Sequence, residues 1–246
     1  MLFACEKKED FTVNLRNPHK VEFQERVLSV TPGDLRPSDL QVVDLGLSVK
    51  WADRNVGAIS VDDDGDLFAW GEIAPKDYYS WKTYEHNDYH NNMTLYLTKY
   101  CYDKYGESQD IDPNSDNLIL HKNDDAAYVY YGEGYRMPTV QEFSELVNDC
   151  TWSVEEKKDK GGYLYKVTGP NGNSITIPVY EFALGEKAKV NSDATGREFA
   201  GIWSASLSPL ESPYGQSLHL QGDNINIVQT GQNRCIGNYI RAVFVE

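Results

Sequence analysis

Apolar positions near the middle of the chain fall at helical spacing. Val140, Phe143, Leu146, Val147 and Cys150 lie three to four residues apart or adjacent, and Thr139 with Glu142 supplies both halves of a capping box. This pattern predicts a short amphipathic helix starting at Val140, with Pro138 keeping the chain extended before it. A shorter helix is predicted over Asp124 to Tyr131, with Asp124 or Asp125 as its N-cap. The period then changes to two. Tyr163, Tyr165 and Val167 alternate up to the turn Pro170-Asn171-Gly172-Asn173, and Ile175, Ile177 and Val179 alternate beyond it, which predicts a hairpin. Further short strands are expected over Ile202 to Ser206, Ser217 to Leu220 and Ile225 to Val228, with a closing strand over Tyr239 to Val245. A first strand is expected over Val42 to Trp51, around Gly46. Short helices in the first half and strands in the second make an α+β domain.

Two stretches lack a clear period. Residues 72 to 123 intersperse Tyr78, Tyr79, Trp81, Tyr84, Tyr89, Tyr96, Tyr100, Tyr102 and Tyr105 with Asn, Asp, His and Lys, so a long loop packed by its own rings is expected. In residues 6 to 40, Val21, Phe23, Val27 and Leu28 are interrupted by Pro18, Pro32, Gly33 and Pro37. This reads as a tether or arm with some strand character. The division is therefore a leader and arm over 1–40 and one domain over 41–246.

Several motifs resemble one family. Arg136-Met137-Pro138-Thr139 before a helix, Asp124-Asp125-Ala126-Ala127 ahead of it and Cys150-Thr151-Trp152 behind it are three of them. Val43-Asp44-Leu45-Gly46-Leu47 with Lys50-Trp51-Ala52, the run from Gly65 to Glu72, the run from Tyr165 to Ser174, and Trp203-Ser204-Ala205-Ser206 complete the set. Together, over roughly residues 42 to 246, they resemble secreted and surface proteins of Bacteroides-type bacteria with a C-type-lectin-like fold. That group is related to the Fibrobacter major paralogous domain, and more distantly to formylglycine-generating enzymes and retroelement-diversified variable proteins. The resemblance implies short helices on small twisted antiparallel sheets, with the first strand paired to the last. It says little about function, because folds of this kind carry many unrelated sites.

Composition narrows the classes. The 246 residues are 40% hydrophobic and 12% aromatic, enough for a sizeable core, and the formal charge of −15 argues against a nucleic-acid or anionic-lipid partner. No apolar run approaches the ~20 residues of a spanning helix. Leu2-Phe3-Ala4-Cys5 has the form of a lipobox, so Cys5 is the candidate lipidation site, followed by the polar run Glu6 to Asp10. A lipid-anchored protein at the cell surface, on the outer membrane of a Gram-negative bacterium, is the expectation. Two of Cys101, Cys150 and Cys235 are candidates to pair in an oxidising envelope, and the sequence does not say which two.

Sequence signatures of catalysis do not appear: there is no Gly-x-Ser-x-Gly, no phosphate loop and no His-Glu-x-x-His. The formylglycine-generating resemblance lacks its reactive cysteine arrangement, with only Cys235 in the C-terminal part of the chain beyond Cys150. A non-catalytic binding module is expected. Asp112, Asn114 and Asp116 alternate as in the opening of a calcium loop, with Asn123 where the bidentate Glu belongs; calcium is the candidate cofactor. Asp62 to Asp66 read as a charged turn, and His86 and His90 as solvated loop residues. Trp70 and Arg136 read as a core ring and a buried arginine bonded to carbonyls. The candidate ligand-binding residues are Ser204, Ser206, Tyr214, His219, Asn224, Asn226, Gln229, Gln232, Asn233 and Asn238, with Ser208, Glu211, Gln216, Gln221 and Asp223 among them. Such neutral hydrogen-bonding side chains with a few aromatics suit recognition of a glycan or a protein. Two rival readings are a fimbria-associated or structural adhesin component and a formylglycine-generating-like oxidase.

Overall fold

The computed structural model describes residues 11–15, 26–88, 95–106, 118–158, 161–180, 191–192 and 198–246. In chain order its elements are β1 (Phe11–Leu15), β2 (Arg26–Val30), β3 (Val42–Val43), β4 (Lys50–Asn55), α1 (Ala126–Tyr131), β5 (Tyr135–Arg136) and α2 (Val140–Asp149). There follow β6 (Thr151–Lys157), β7 (Gly162–Thr168), β8 (Ser174–Val179), β9 (Asn191–Ser192), β10 (Glu198–Leu207), β11 (Tyr214–Gln221), β12 (Asn224–Asn233) and β13 (Arg241–Phe244). The strands form four small antiparallel sheets: β1-β2, β3-β4-β13-β5, β6-β7-β8 and β9-β10-β11-β12. The architecture is α+β and mostly β, as the patterning predicts.

The two helices start where their caps direct. Thr139 Oγ1 accepts from Glu142 N at 3.3 Å, and Glu142 Oε2 accepts from Thr139 N at 2.7 Å, closing the capping box of α2. Phe143 and Leu146 point into the core beneath it. At α1 the N-cap is Asp125, whose Oδ1 accepts from Ala127 N and Tyr128 N while Oδ2 accepts from Met137 N at 2.8 Å. One carboxylate thus caps the helix and holds β5 beside it. Burial pushes the Asp125 carboxyl up to about 6, against the pull of those three amide donors.

The hairpin β7-β8 follows the predicted alternation, with Tyr165, Val167, Ile175, Ile177 and Val179 buried. A strand the pattern did not reveal, β6, pairs with β7 along its whole length, from Thr151↔Thr168 to Lys157↔Gly162. The strand expected over 42–51 is instead two. Val42 and Val43 pair back onto Ala52 and Trp51 across a loop containing Gly46 at φ 77, and Lys50–Asn55 is the strand that meets β13. The expected pairing of first and last strands is present in that form, through Trp51↔Val243 and Asn55↔Arg241.

The core has two parts, on the two faces of the β9-β12 sheet. On one, Ile202, Leu218 and Leu220 pack with Phe143, Leu146, Tyr165, Ile177 and Trp51. On the other, Trp203 and Ala205 pack with Phe68, Trp70, Tyr100 and α1. Both faces of β10 are therefore dry. The described parts of the loop over 72–106 are packed by rings as expected, with Tyr79, Tyr84, Leu97 and Tyr100 buried. Within it His86 departs from expectation. It is buried, its Nε2 donates to Gly71 O at 2.9 Å, and its ring stands edge-on to Tyr84 and Tyr100; burial lowers its pKa. His90, also read as a solvated loop residue, lies outside the described residues.

Candidate functional site

The β11-β12 hairpin carries most of the predicted site residues, and the structure separates them into three groups. Ser204, Ser206, Gln232 and Asn238 are buried, contrary to their reading as a solvent-facing surface. Each has a structural reason. The β10-β11 register shifts between Trp203 and Leu207, and Ser204 Oγ fills that gap, donating to Gln216 O at 2.9 Å and accepting from Ser206 N at 3.1 Å. Ser206 Oγ accepts from Val140 N, one of the amides left over at the start of α2. Gln232 Oε1 accepts from Asn238 Nδ2 at 2.6 Å and from Ser217 Oγ at 3.0 Å. Gly201 lies directly against this amide pair, where a Cβ would meet both amides at 3.0 Å.

The second group is at the hairpin tip. Asn224 and Asn226 are exposed, and Asn226 Nδ2 donates to Asn224 Oδ1 at 2.9 Å. The third is at the opposite end, where Tyr214 pairs in register with exposed Asn233. Tyr214 and Gln221 are seven positions apart on β11, so the two ends stand roughly 23 Å apart at the rise of an extended strand. A single small ligand cannot span them. His219 lies between, half-buried. The side chain of Gln229, and all of Asp112, Asn114, Asp116 and Cys5, lie outside what the structure describes.

At the Tyr214 end the surface opens into a shallow depression of about 540 Å³, lined by Leu210, Glu211, Tyr214 and Gly231. Leu210 is 64% exposed, the most exposed large apolar side chain among the described residues. The turn that carries these residues is braced from below. Ser212 Oγ accepts from Tyr102 N at 2.9 Å, Asp103 Oδ2 accepts from Ser212 N at 2.7 Å, and Tyr102 OH donates to Ser208 O at 2.7 Å. Beside the depression, Glu211 Oε1 is 3.5 Å from Tyr105 OH and 3.9 Å from Lys104 Nζ.

No protein-family model, curated protein or solved structure matches this chain. Sequence reasoning named Tyr214 and Glu211 but missed Leu210 and Gly231. The available signal was Pro209-Leu210, one apolar residue isolated between turn formers where nothing in the pattern would bury it.

Among the described residues, no group of three or more His, Cys, Asp or Glu side chains is placed to hold a metal. In the turn over 62–66, Asp63 accepts from Ile59 N and Gly65 N, and Asp64 Oδ2 accepts from Tyr239 OH at 2.7 Å, so these carboxylates fasten the turn. Arg136 is less buried than expected; it donates to Met137 O and pairs with Glu142. Trp70 is a core ring, as read from the sequence, and its Nε1 donates to Ser204 O at 2.9 Å. Cys101, Cys150 and Cys235 are all free thiols. Burial raises the pKa of each, that of Cys235 to about 12, so none is a thiolate at neutral pH.

His219, within β11, gives the sheet a pH dependence. Burial lowers its pKa to about 4, with a Gln232 contact acting in the opposite direction. Its unfolded value is about 6.5, so the unfolded chain takes up the proton first and stability falls as pH drops from 6.5 through 4. Asp125 works the other way over part of this range, because its raised pKa makes the folded state the better proton acceptor. The difference between variants isolates the histidine. Between pH 7 and 4.5, His219→Gln should lose about 2 kcal/mol less stability than the parent in denaturant unfolding. Parallel profiles for the two proteins would show that His219 is not held neutral by the fold.

Proposed function

We propose that this protein is a non-catalytic ligand-binding module of C-type-lectin-like fold, lipid-anchored through Cys5 at the cell surface, that recognises a glycan or a protein. The site we assign is the depression at Leu210, Glu211 and Tyr214, together with Asn233. One observation carries the choice: this end of the hairpin combines an exposed apolar side chain, an aromatic ring and a carboxylate around a concavity, with an exposed amide on the strand paired to the ring. The buried polar residues, by contrast, serve the fold.

The rival reading as an adhesin or assembly component draws on the β1-β2 ribbon, which pairs with no other described strand. A two-stranded ribbon is marginal alone, so a partner strand would stabilise it. The oxidase reading would need a reactive Cys235. That thiol is buried and held protonated, which speaks against it.

A glycan and protein array probed with the full chain, with and without calcium, tests the assignment. Targets bound by the parent should be lost by the double variant Leu210→Ser and Tyr214→Ala, and retained by Asn224→Ala with Asn226→Ala at the far end. Loss in the tip variant alone would move the site to the hairpin tip. Binding that neither variant changes would remove the hairpin from recognition altogether.

A further inference from the structure

We propose that the depression receives the side chain of an arginine or lysine presented by a partner protein or peptide. This rests on the depression being the recognition site and adds the class of ligand. The group lining it that carries charge is Glu211, whose side chain is 39% exposed. Its present cation, Lys104, is 73% exposed, 3.9 Å away, and lies over the Tyr105 ring at 5.0 Å. Exposed pairs of this kind contribute about 0–1 kcal/mol, so an incoming cation can take Lys104's place with little loss.

A second carboxylate, Asp103, is bonded to the amide of Ser212, the residue next to Glu211. The two acids act on the neighbouring phenol: Tyr102 is pushed up to about 12, first by burial and then by Asp103 and Glu211. Two carboxylates, Glu211 and Asp103, thus stand near the depression against one ammonium, Lys104, in a chain whose formal charge is −15. That combination draws cations toward the site and repels anions.

The walls fit the rest of such a side chain. Leu210 and the Tyr214 ring offer apolar contact to a methylene stem, and an aromatic face also attracts the cationic head. The remaining wall is bare backbone. Gly231 has φ 83, and a Cβ there would meet Tyr214 Cβ at 2.7 Å and Gly215 O at 3.0 Å, so no side chain narrows the entrance from that position. A neutral sugar would use the ring and the carboxylate too, yet would gain nothing from the charge.

The test uses the full chain and three probes: an acetylated and amidated Gly-Arg-Gly-Arg-Gly peptide, the same peptide with citrulline for arginine, and a neutral hexasaccharide. Citrulline keeps the shape and removes the charge. The arginyl peptide should bind at least fivefold more tightly than the citrulline peptide, with a difference that shrinks at high salt. Glu211→Gln should weaken it roughly fivefold and Lys104→Ala should strengthen it about twofold. Leu210→Ser, at an exposed position, should weaken it without altering the fold. Equal binding of the two peptides, no binding of either, or indifference to Glu211→Gln overturns the cation proposal. If the hexasaccharide binds instead, and Tyr214→Ala abolishes that while Glu211→Gln does not, the depression stands as the site and only the ligand class falls. If no probe's affinity responds to Tyr214→Ala or Leu210→Ser, both readings fall together.

Discussion

Arg234→Lys should lower the stability of the fold by about 3 kcal/mol, although it keeps the charge. Arg234 is fully buried, and its guanidinium donates to Tyr84 OH and Tyr100 O at 3.0 Å, Ser212 O at 3.2 Å and Lys99 O at 3.0 Å. It also lies over the Trp70 and Tyr84 rings at 5.1 and 5.3 Å. A lysine ammonium cannot match this planar fork, so buried acceptors are left without donors, each costing about 1–3 kcal/mol. Tyr100 makes the dependence sharper. It is the described non-glycine residue with positive φ, at 55°, a conformation that persists only where surroundings hold it. Urea unfolding at unchanged m-value measures the effect, and a loss below about 1 kcal/mol would mean the carbonyls find other donors. Because the same arginine anchors the turn carrying Leu210 and Tyr214, amide exchange over 99–103 and 210–214 should rise in the variant.

The second large effect is expected at Arg241, in β13. Its Nε donates to Asn55 Oδ1 at 2.9 Å, and its terminal nitrogens donate to Ala52 O at 3.0 Å and Thr176 O at 2.8 Å. This arginine ties β4, β8 and β13 together through oxygens that carry no formal charge, and burial pulls its pKa down to about 10. Arg241→Met keeps much of the volume and removes the charge. We expect a loss of about 3 kcal/mol from the acceptors it abandons, and a drop of roughly 6–12 °C in Tm for a chain of this size. A neutral or stabilising result would show that relief from burying the charge outweighs those bonds, as occurs at some buried ion pairs.

These two residues also mark where the sequence stops being readable. The caps of α1 and α2 and the β7-β8 hairpin were legible, because each rests on residues close together or on a clear period, whereas the meeting of early and late strands came from the family resemblance alone. Arg234 and Arg241 were not legible: the first follows polar residues and the second interrupts an apolar strand, and for both only long-range packing shows that the charge is buried. The site residues failed for a related reason. Alternation marks a solvent face only when one side of the sheet is wet, and β10 is covered on both sides. Ser204 and Ser206 are polar because a register shift and a helix start need hydrogen bonds there. β6 escaped notice because Glu155, Glu156 and Lys157 break its pattern at the exposed end. Leu210 illustrates the converse, a position whose meaning lay in failing to fit any pattern.

The order β3-β4-β13-β5 places the last strand inside its sheet, between partners that precede it by more than a hundred residues. That has a kinetic consequence. β4 and β5 have no ladder between them until β13 arrives, so this sheet cannot be completed until the chain has been made at least as far as Phe244. Long-range pairings of this kind slow folding to milliseconds or longer in small domains, and leave strand edges open meanwhile. Truncation just before Arg241 should therefore leave a chain held in an aggregation-prone, partly folded state, not a slightly shorter native one.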